Sequence, residues 1–192
     1  IVPDLENLIR AWERLECRRQ PCAYRMVPLE AGREVELRRG LKVHPFRTDH
    51  SVPSMGFAVI EERQKLKPEF LGLPGPEIAR RRQAGEDLLY TVREPLVTFV
   101  GDSTIRAFDD QAIVRASDVL ILESTFIRAE EVQDASRKKH THLFEVIERL
   151  DAFTGTTLVL SHFSTRYTRS EIEDAVWQAV PERHRPRVKL LF

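Results

Sequence analysis

The sequence predicts an α/β protein built as one domain, and three observations support this. The chain has 192 residues, enough for one core at about 150 residues per domain. Leu96–Val100, Val119–Leu122, Thr157–Leu160 and Val188–Phe192 are continuous apolar runs of strand length, as expected of strands buried on both faces. Between them lie segments of helical period: His142–Phe153 with Leu143, Phe144, Val146, Ile147 and Leu150, and Ser170–Val180 with Ile172, Ala175, Val176 and Ala179. Strands alternating with such helices make a parallel sheet.

The elements follow in chain order. Pro3–Glu16 places Leu5, Leu8, Ile9, Trp12 and Leu15 on one helical face with Asp4 as an N-cap, which predicts a core-facing amphipathic helix. The Ile-Val-Pro opening reads as the exit from a buried strand, so the domain is expected to be incomplete on its N-terminal side. Leu41–Phe46 and Met55–Glu61 are short β-type runs separated by a turn, His50-Ser51-Val52-Pro53-Ser54. Residues 63–95 contain Pro68, Pro74, Pro76 and Pro95, a Gly72-Leu-Pro-Gly-Pro76 stretch and the triplet Arg80-Arg81-Arg82. With little periodicity, this segment is expected to be a loop inserted in the domain. Ser170-x-x-Glu173 reads as the capping box of the last helix.

Composition narrows the function. With 42% apolar and 31% charged residues, and no apolar run near the ~20 residues that cross a bilayer, no membrane span is expected. Thirty basic residues balance thirty acidic ones, so contact with nucleic acid has to come from a local patch. Cys17 and Cys22 are the only cysteines, too few for a disulfide framework or a four-cysteine zinc site. They read as a partly buried pair of inert thiols in a reducing cytoplasm.

The chemistry-bearing residues follow the strands. Asp102 comes after Leu96–Val100, Glu123 after Val119–Leu122 and His162 after Thr157–Leu160, while His50 lies in the turn after an earlier strand. Ligands collect at the carboxyl ends of strands in open α/β sheets, so these side chains are expected to share a site. Each alone has a plainer reading, as a turn former, a helix cap or a surface histidine. Together, His, Asp and His suit zinc or another divalent transition metal.

In order, His50-Ser-Val-Pro-Ser-Met-Gly-Phe, Gly101-Asp102-Ser-Thr, Glu123-Ser-Thr-Phe and His162-Phe-Ser-Thr-Arg166-Tyr167 resemble the later motifs of the ribonuclease Z family, tRNA 3′-processing endonucleases of the metallo-β-lactamase superfamily. The resemblance implies an αββα sandwich, present here as the second β/α half plus part of the first. It implies two zinc ions in the complete protein, with His50 on one, Asp102 bridging and His162 on the other. It further implies that His140, 22 residues before His162, protonates the leaving group, that Glu123 orients it, and that Ser164 and Arg166 contact phosphate. Segment 63–95 resembles a shortened substrate arm, in which Arg80, Arg81 and Arg82 either touch precursor tRNA or are simply solvated.

One departure is large. The family's His-x-His-x-Asp-His motif is absent; the only His-x-His, His140-Thr-His142, continues into Leu and Phe. The chain alone is therefore expected to hold zinc weakly or not at all and to be inactive. Two other readings stay open: a metal-dependent hydrolase of a small ester or phosphodiester, and a metal-free interaction or scaffold protein, for example a homodimer partner. His44 and His184 are assigned no role.

Overall fold

Seven strands form one sheet whose spatial order is the chain order. The computed structural model describes residues 2–15 and 26–192; Cys17 and Cys22 lie outside them. The chain divides into two units, residues 1–30 and 31–192. In the first, helix α1 spans Val2–Leu15, as its period predicts. Leu5, Leu8, Trp12 and Leu15 are exposed, so the stripe expected to face a core is open to solvent. A 3.6-residue period places a stripe on one side of a helix but does not choose what covers it.

The second unit contains the sheet. Strands β1 (Val35–Arg38), β2 (Leu41–Thr48), β3 (Ser54–Leu66) and β4 (Leu89–Phe99) pair antiparallel. Strands β5 (Val119–Glu123), β6 (Thr157–Ser161) and β7 (Val188–Leu190) continue from β4 in parallel. Neighbouring strands are joined by a tight turn only where they run antiparallel, and Gly40, at φ +76°, makes the one between β1 and β2. Parallel pairs need crossovers. These are α3 (Arg106–Asp110) with α4 (Ala112–Ala116), α5 (Val132–Lys138) with α6 (Leu143–Arg149), and α7 (Arg169–Ala179).

Segment 63–95 corrects its expectation. It is not an aperiodic loop: β3 and β4 run on as a hairpin to the pair Leu66↔Leu89, closed by a 3₁₀ turn at Pro68–Phe70 and helix α2 (Gly75–Gln83). The extension is polar on both faces, with Lys65 and Arg63 on Glu94 and Gln64 on Thr91. It therefore shows no apolar alternation for a sequence reading to find. Pro95, which has no N–H, sits at the irregularity in register where Ile60 pairs with Pro95 and Val59 with Val97. The capping box of α7 is likewise shifted, formed by Thr168 and Glu171 rather than Ser170 and Glu173.

The core lies on one face of the sheet. Leu120, Leu122, Leu158 and Leu160 are fully buried there with Phe108, Val114, Leu143, Val146, Ile172 and Val176 from the helices. Side chains of opposite parity, Val59, Val97, Val119, Ile121 and Val159, are only half-buried, and Phe99 is 48% exposed. The parallel strands were expected to be covered on both faces and are covered on one. The described unit is thus a single β/α layer with an apolar second sheet face.

Candidate metal and active site

Strands β2, β4, β5 and β6 all point the same way, so their carboxyl ends share one rim. His50 follows β2, Asp102 follows β4, Glu123 ends β5 and His162 follows β6. His140 reaches the same rim from the loop after α5. His162 has a left-handed backbone, at φ +57°. For a residue other than glycine this conformation has to be held by its surroundings, and such strain concentrates at functional sites.

The rim residues are in contact. The Asp102 carboxylate Oδ1 lies 3.3 Å from His162 Nε2. The His140 ring stands between its neighbours, its centroid 4.8 Å from that of His50 and 5.6 Å from that of His162. Its Nδ1 is 2.9 Å from Glu123 Oε1. Asp102 and His162 are open to solvent, whereas Glu123 is 2% exposed. The structure thus brings Asp102, Glu123, His140 and His162 together at the rim, with the His50 ring against that of His140.

Hydrogen bonds assign the ring tautomers. His50 Nδ1 donates to the Lys139 carbonyl at 2.9 Å, which leaves Nε2 of a neutral ring with its lone pair. Thr125 Oγ1 donates to Glu123 Oε2 at 2.5 Å and accepts from His162 Nδ1 at 2.9 Å, which turns His162 Nε2 toward Asp102. Glu123 Oε1 also accepts from the Ser103 backbone N–H at 2.6 Å. Glu123, His140 and His162 each offer a ligand atom within 4.8 Å of the others. Both oxygens of Glu123 are nevertheless already engaged, so it is better placed to orient His140 than to hold an ion.

Sequence reasoning missed Thr125, which joins β5 to a residue 37 positions later. It also missed Glu131. This buried carboxylate accepts from Arg166 Nη2 at 3.0 Å and from the Tyr167 hydroxyl, and burial followed by that bond pushes the Tyr167 pKa up to about 12. Arg166 Nε donates to Ser164 Oγ at 3.2 Å. Ser164 and Arg166 thus meet each other, with Glu131 holding the arginine. Its only sequence signal was a charged position just before a helix.

The arm arginines are not at the rim motifs and are largely neutralised. Glu77 pairs with Arg80 and Arg81, and its pKa is lowered to about 2 by the Arg80 hydrogen bond first and that of Arg81 second. Arg81 also pairs with Glu86. Residues 67–94 carry five basic and five acidic side chains, so no net basic patch arises from charge count. His142 is a fully buried N-cap of α6, accepting from Phe144 N–H at 3.1 Å. His44 and His184 pair with Glu34 and Asp151, away from the motifs.

No protein-family profile matches the chain. Among curated proteins, tRNase Z TRZ1 of Arabidopsis thaliana is 36% identical over 175 residues, covering 90% of this chain and 62% of the relative. By sequence, this chain is similar to the ribonuclease Z proteins. A second relative with that activity in its name, the chloroplastic tRNase Z TRZ2 of the same plant, is 34% identical over 154 residues, covering 79% of this chain and 44% of the relative. The chain thus spans about half to three-fifths of the length of these ribonuclease Z relatives. Among solved structures, the metallo-β-lactamase fold protein YhfI of Bacillus subtilis superposes with a TM-score of 0.52 at 12% identity, over 93% of this chain and 58% of that one. The fold is therefore of the metallo-β-lactamase type.

Proposed function

We propose that this chain carries one half of the active site of a metal-dependent endoribonuclease that removes the 3′ trailer from precursor tRNA, working in a reducing compartment such as the cytoplasm. The observation that carries the reading is the meeting of His162 and Asp102 at the rim, Nε2 standing 3.3 Å from Oδ1, beside His140 held on Glu123. Zinc fits the donors, which are two imidazole Nε2 atoms and one carboxylate, because each ring is anchored through its other nitrogen.

His50, Asp102 and His162 would hold zinc. When bound, it supplies Lewis acidity that makes water nucleophilic near neutral pH and offsets charge on the phosphate. The residues of this chain do the rest. His140, fixed at Nδ1 by Glu123, keeps Nε2 for a proton handed to the departing 3′ oxygen. Arg166, with Nε on Ser164 and Nη2 on Glu131, keeps Nη1 for a non-bridging phosphate oxygen. Three donors are too few for a two-zinc centre, and the family's His-x-His-x-Asp-His motif has no counterpart in these 192 residues. The remaining ligands have to come from another polypeptide segment, and the half-open sheet face bearing Phe99 offers a second layer its place. Alone, the chain holds zinc weakly and is inactive.

The test is cleavage of a precursor tRNA by a protein that joins this sequence to a His-x-His-x-Asp-His layer. His162→Ala should reduce the metal-dependent rate at least 100-fold; a rate within threefold of the parent overturns the assignment. One observation favours a second reading, hydrolysis of a small phosphodiester: the arm is charge-balanced, with Arg80 and Arg81 bound to Glu77. Turnover of a chromogenic phosphodiester with no cleavage of precursor tRNA would select it.

A further inference from the structure

The loop residues beside the candidate ligands are tied by a contact that neither the motifs nor the reading above uses. Lys139 is the C-cap of α5, with a left-handed backbone at φ 56° and ψ 51°. This conformation turns its carbonyl to His50, where it accepts from Nδ1 at 2.9 Å. Its own Nζ donates to Asp49 Oδ1 at 2.9 Å, across 90 residues. Asp49 is in turn a junction. Its Oδ2 accepts from the Thr104 hydroxyl at 3.0 Å, its carbonyl accepts from Thr104 N–H at 2.9 Å, and its N–H reaches Ser103 Oγ at 3.3 Å. Ser103 and Thr104 follow Asp102, Lys139 precedes His140, and Asp49 precedes His50. One carboxylate thus ties together the three loops that carry Asp102, His140 and His50.

We propose that Asp49 and Lys139 form a positioning latch, which holds the Lys139 carbonyl where it fixes the Nδ1–H tautomer and placement of His50 and keeps His50 in register with Asp102. Neither residue touches a reacting atom. A left-handed non-glycine residue costs about 1 kcal/mol or more, so the backbone of Lys139 needs a restraint. The ion pair and the His50 hydrogen bond are the restraints its side chain and carbonyl make. Outer partners of this kind orient a ligating histidine, and their loss typically costs 10–100-fold in metal affinity. The proposal rests on the reading of His50 as a ligand only for its metal consequence; the tautomer consequence stands apart from it.

The experiment therefore has two readouts on the 192-residue chain. Long-range ¹H–¹⁵N spectra of the imidazoles should show His50 protonated at Nδ1 in the parent and in Lys139→Arg, and a mixture of tautomers in Lys139→Met and in Asp49→Asn. Should Lys139→Met fail to fold, Asp49→Asn decides, because an asparagine oxygen can still accept from Thr104. Titration with Co²⁺ alone should show a dissociation constant raised about 10–100-fold in the two disrupting variants and within threefold of the parent in Lys139→Arg. An unchanged Nδ1–H tautomer in folded Lys139→Met and Asp49→Asn overturns the latch. A tautomer change in a chain that binds no Co²⁺ in any form supports the latch and counts against the metal reading.

Discussion

Replacing Thr125 by valine keeps the shape of a nearly buried side chain and removes one hydroxyl. That hydroxyl donates to Glu123 Oε2 and accepts from His162 Nδ1, so its loss leaves a buried carboxylate oxygen without a donor and an imidazole N–H without an acceptor. A hydrogen bond to a charged group contributes about 1.5–3 kcal/mol, and a stranded buried polar group costs about 1–3 kcal/mol. Glu123 keeps Ser103 N–H and His140 on its other oxygen, and His162 can turn toward solvent, so the lower end of the combined range applies, about 2.5–3 kcal/mol. With a urea m-value of about 2 kcal/mol/M, the unfolding midpoint should fall by roughly 1–1.5 M. Thr125→Ser, which keeps the hydroxyl, should lose less than about 1 kcal/mol. Urea unfolding followed by circular dichroism checks both. A Thr125→Val midpoint within about 0.3 M of the parent would refute the account of the Glu123–Thr125–His162 chain.

Other expectations follow from burial and charge. Leu122→Ala, on the helix-covered face, should cost about 2–5 kcal/mol, whereas Phe99→Ala, half-exposed on the other face, should cost under about 1.5 kcal/mol; equal losses in urea unfolding would contradict the one-sided core. Asp109 has its pKa lowered first by the Arg149 hydrogen bond. Its contribution is therefore present above its unfolded value near 3.8 and lost as pH falls through the folded value. Asp109→Asn should lower stability at pH 7 by no more than about 1 kcal/mol, because the pair is partly solvent-screened, and the difference should shrink as pH falls below 3.8. A difference that does not shrink on acidification would refute the linkage.

The residues that meet at the candidate rim were legible in sequence and their arrangement partly so. His50, Asp102, Glu123 and His162 each follow a β-type run, and strand direction in a crossover-linked sheet brings such ends to one rim. His140 and Arg166 came from motif order alone. Thr125, Glu131, Asp49 and Lys139 went unseen because what they do depends on partners 35 to 90 residues away, and a serine, threonine, lysine or acid in a loop looks the same in sequence whether or not it meets one.

The sequence by itself determined α1, α6, α7 and the parallel strands, because apolar runs and helical periods report local geometry. It determined the residue types at the strand ends and the absence of a first metal motif from these 192 residues. Only the tertiary structure decided that the parallel strands are covered on one face, since a continuous apolar run looks alike whether one layer or two lie against it. Tertiary structure alone also showed that a segment polar on both faces is a long hairpin, and that His162 Nδ1 meets Thr125, since a ring's partners depend on what folding brings to each nitrogen.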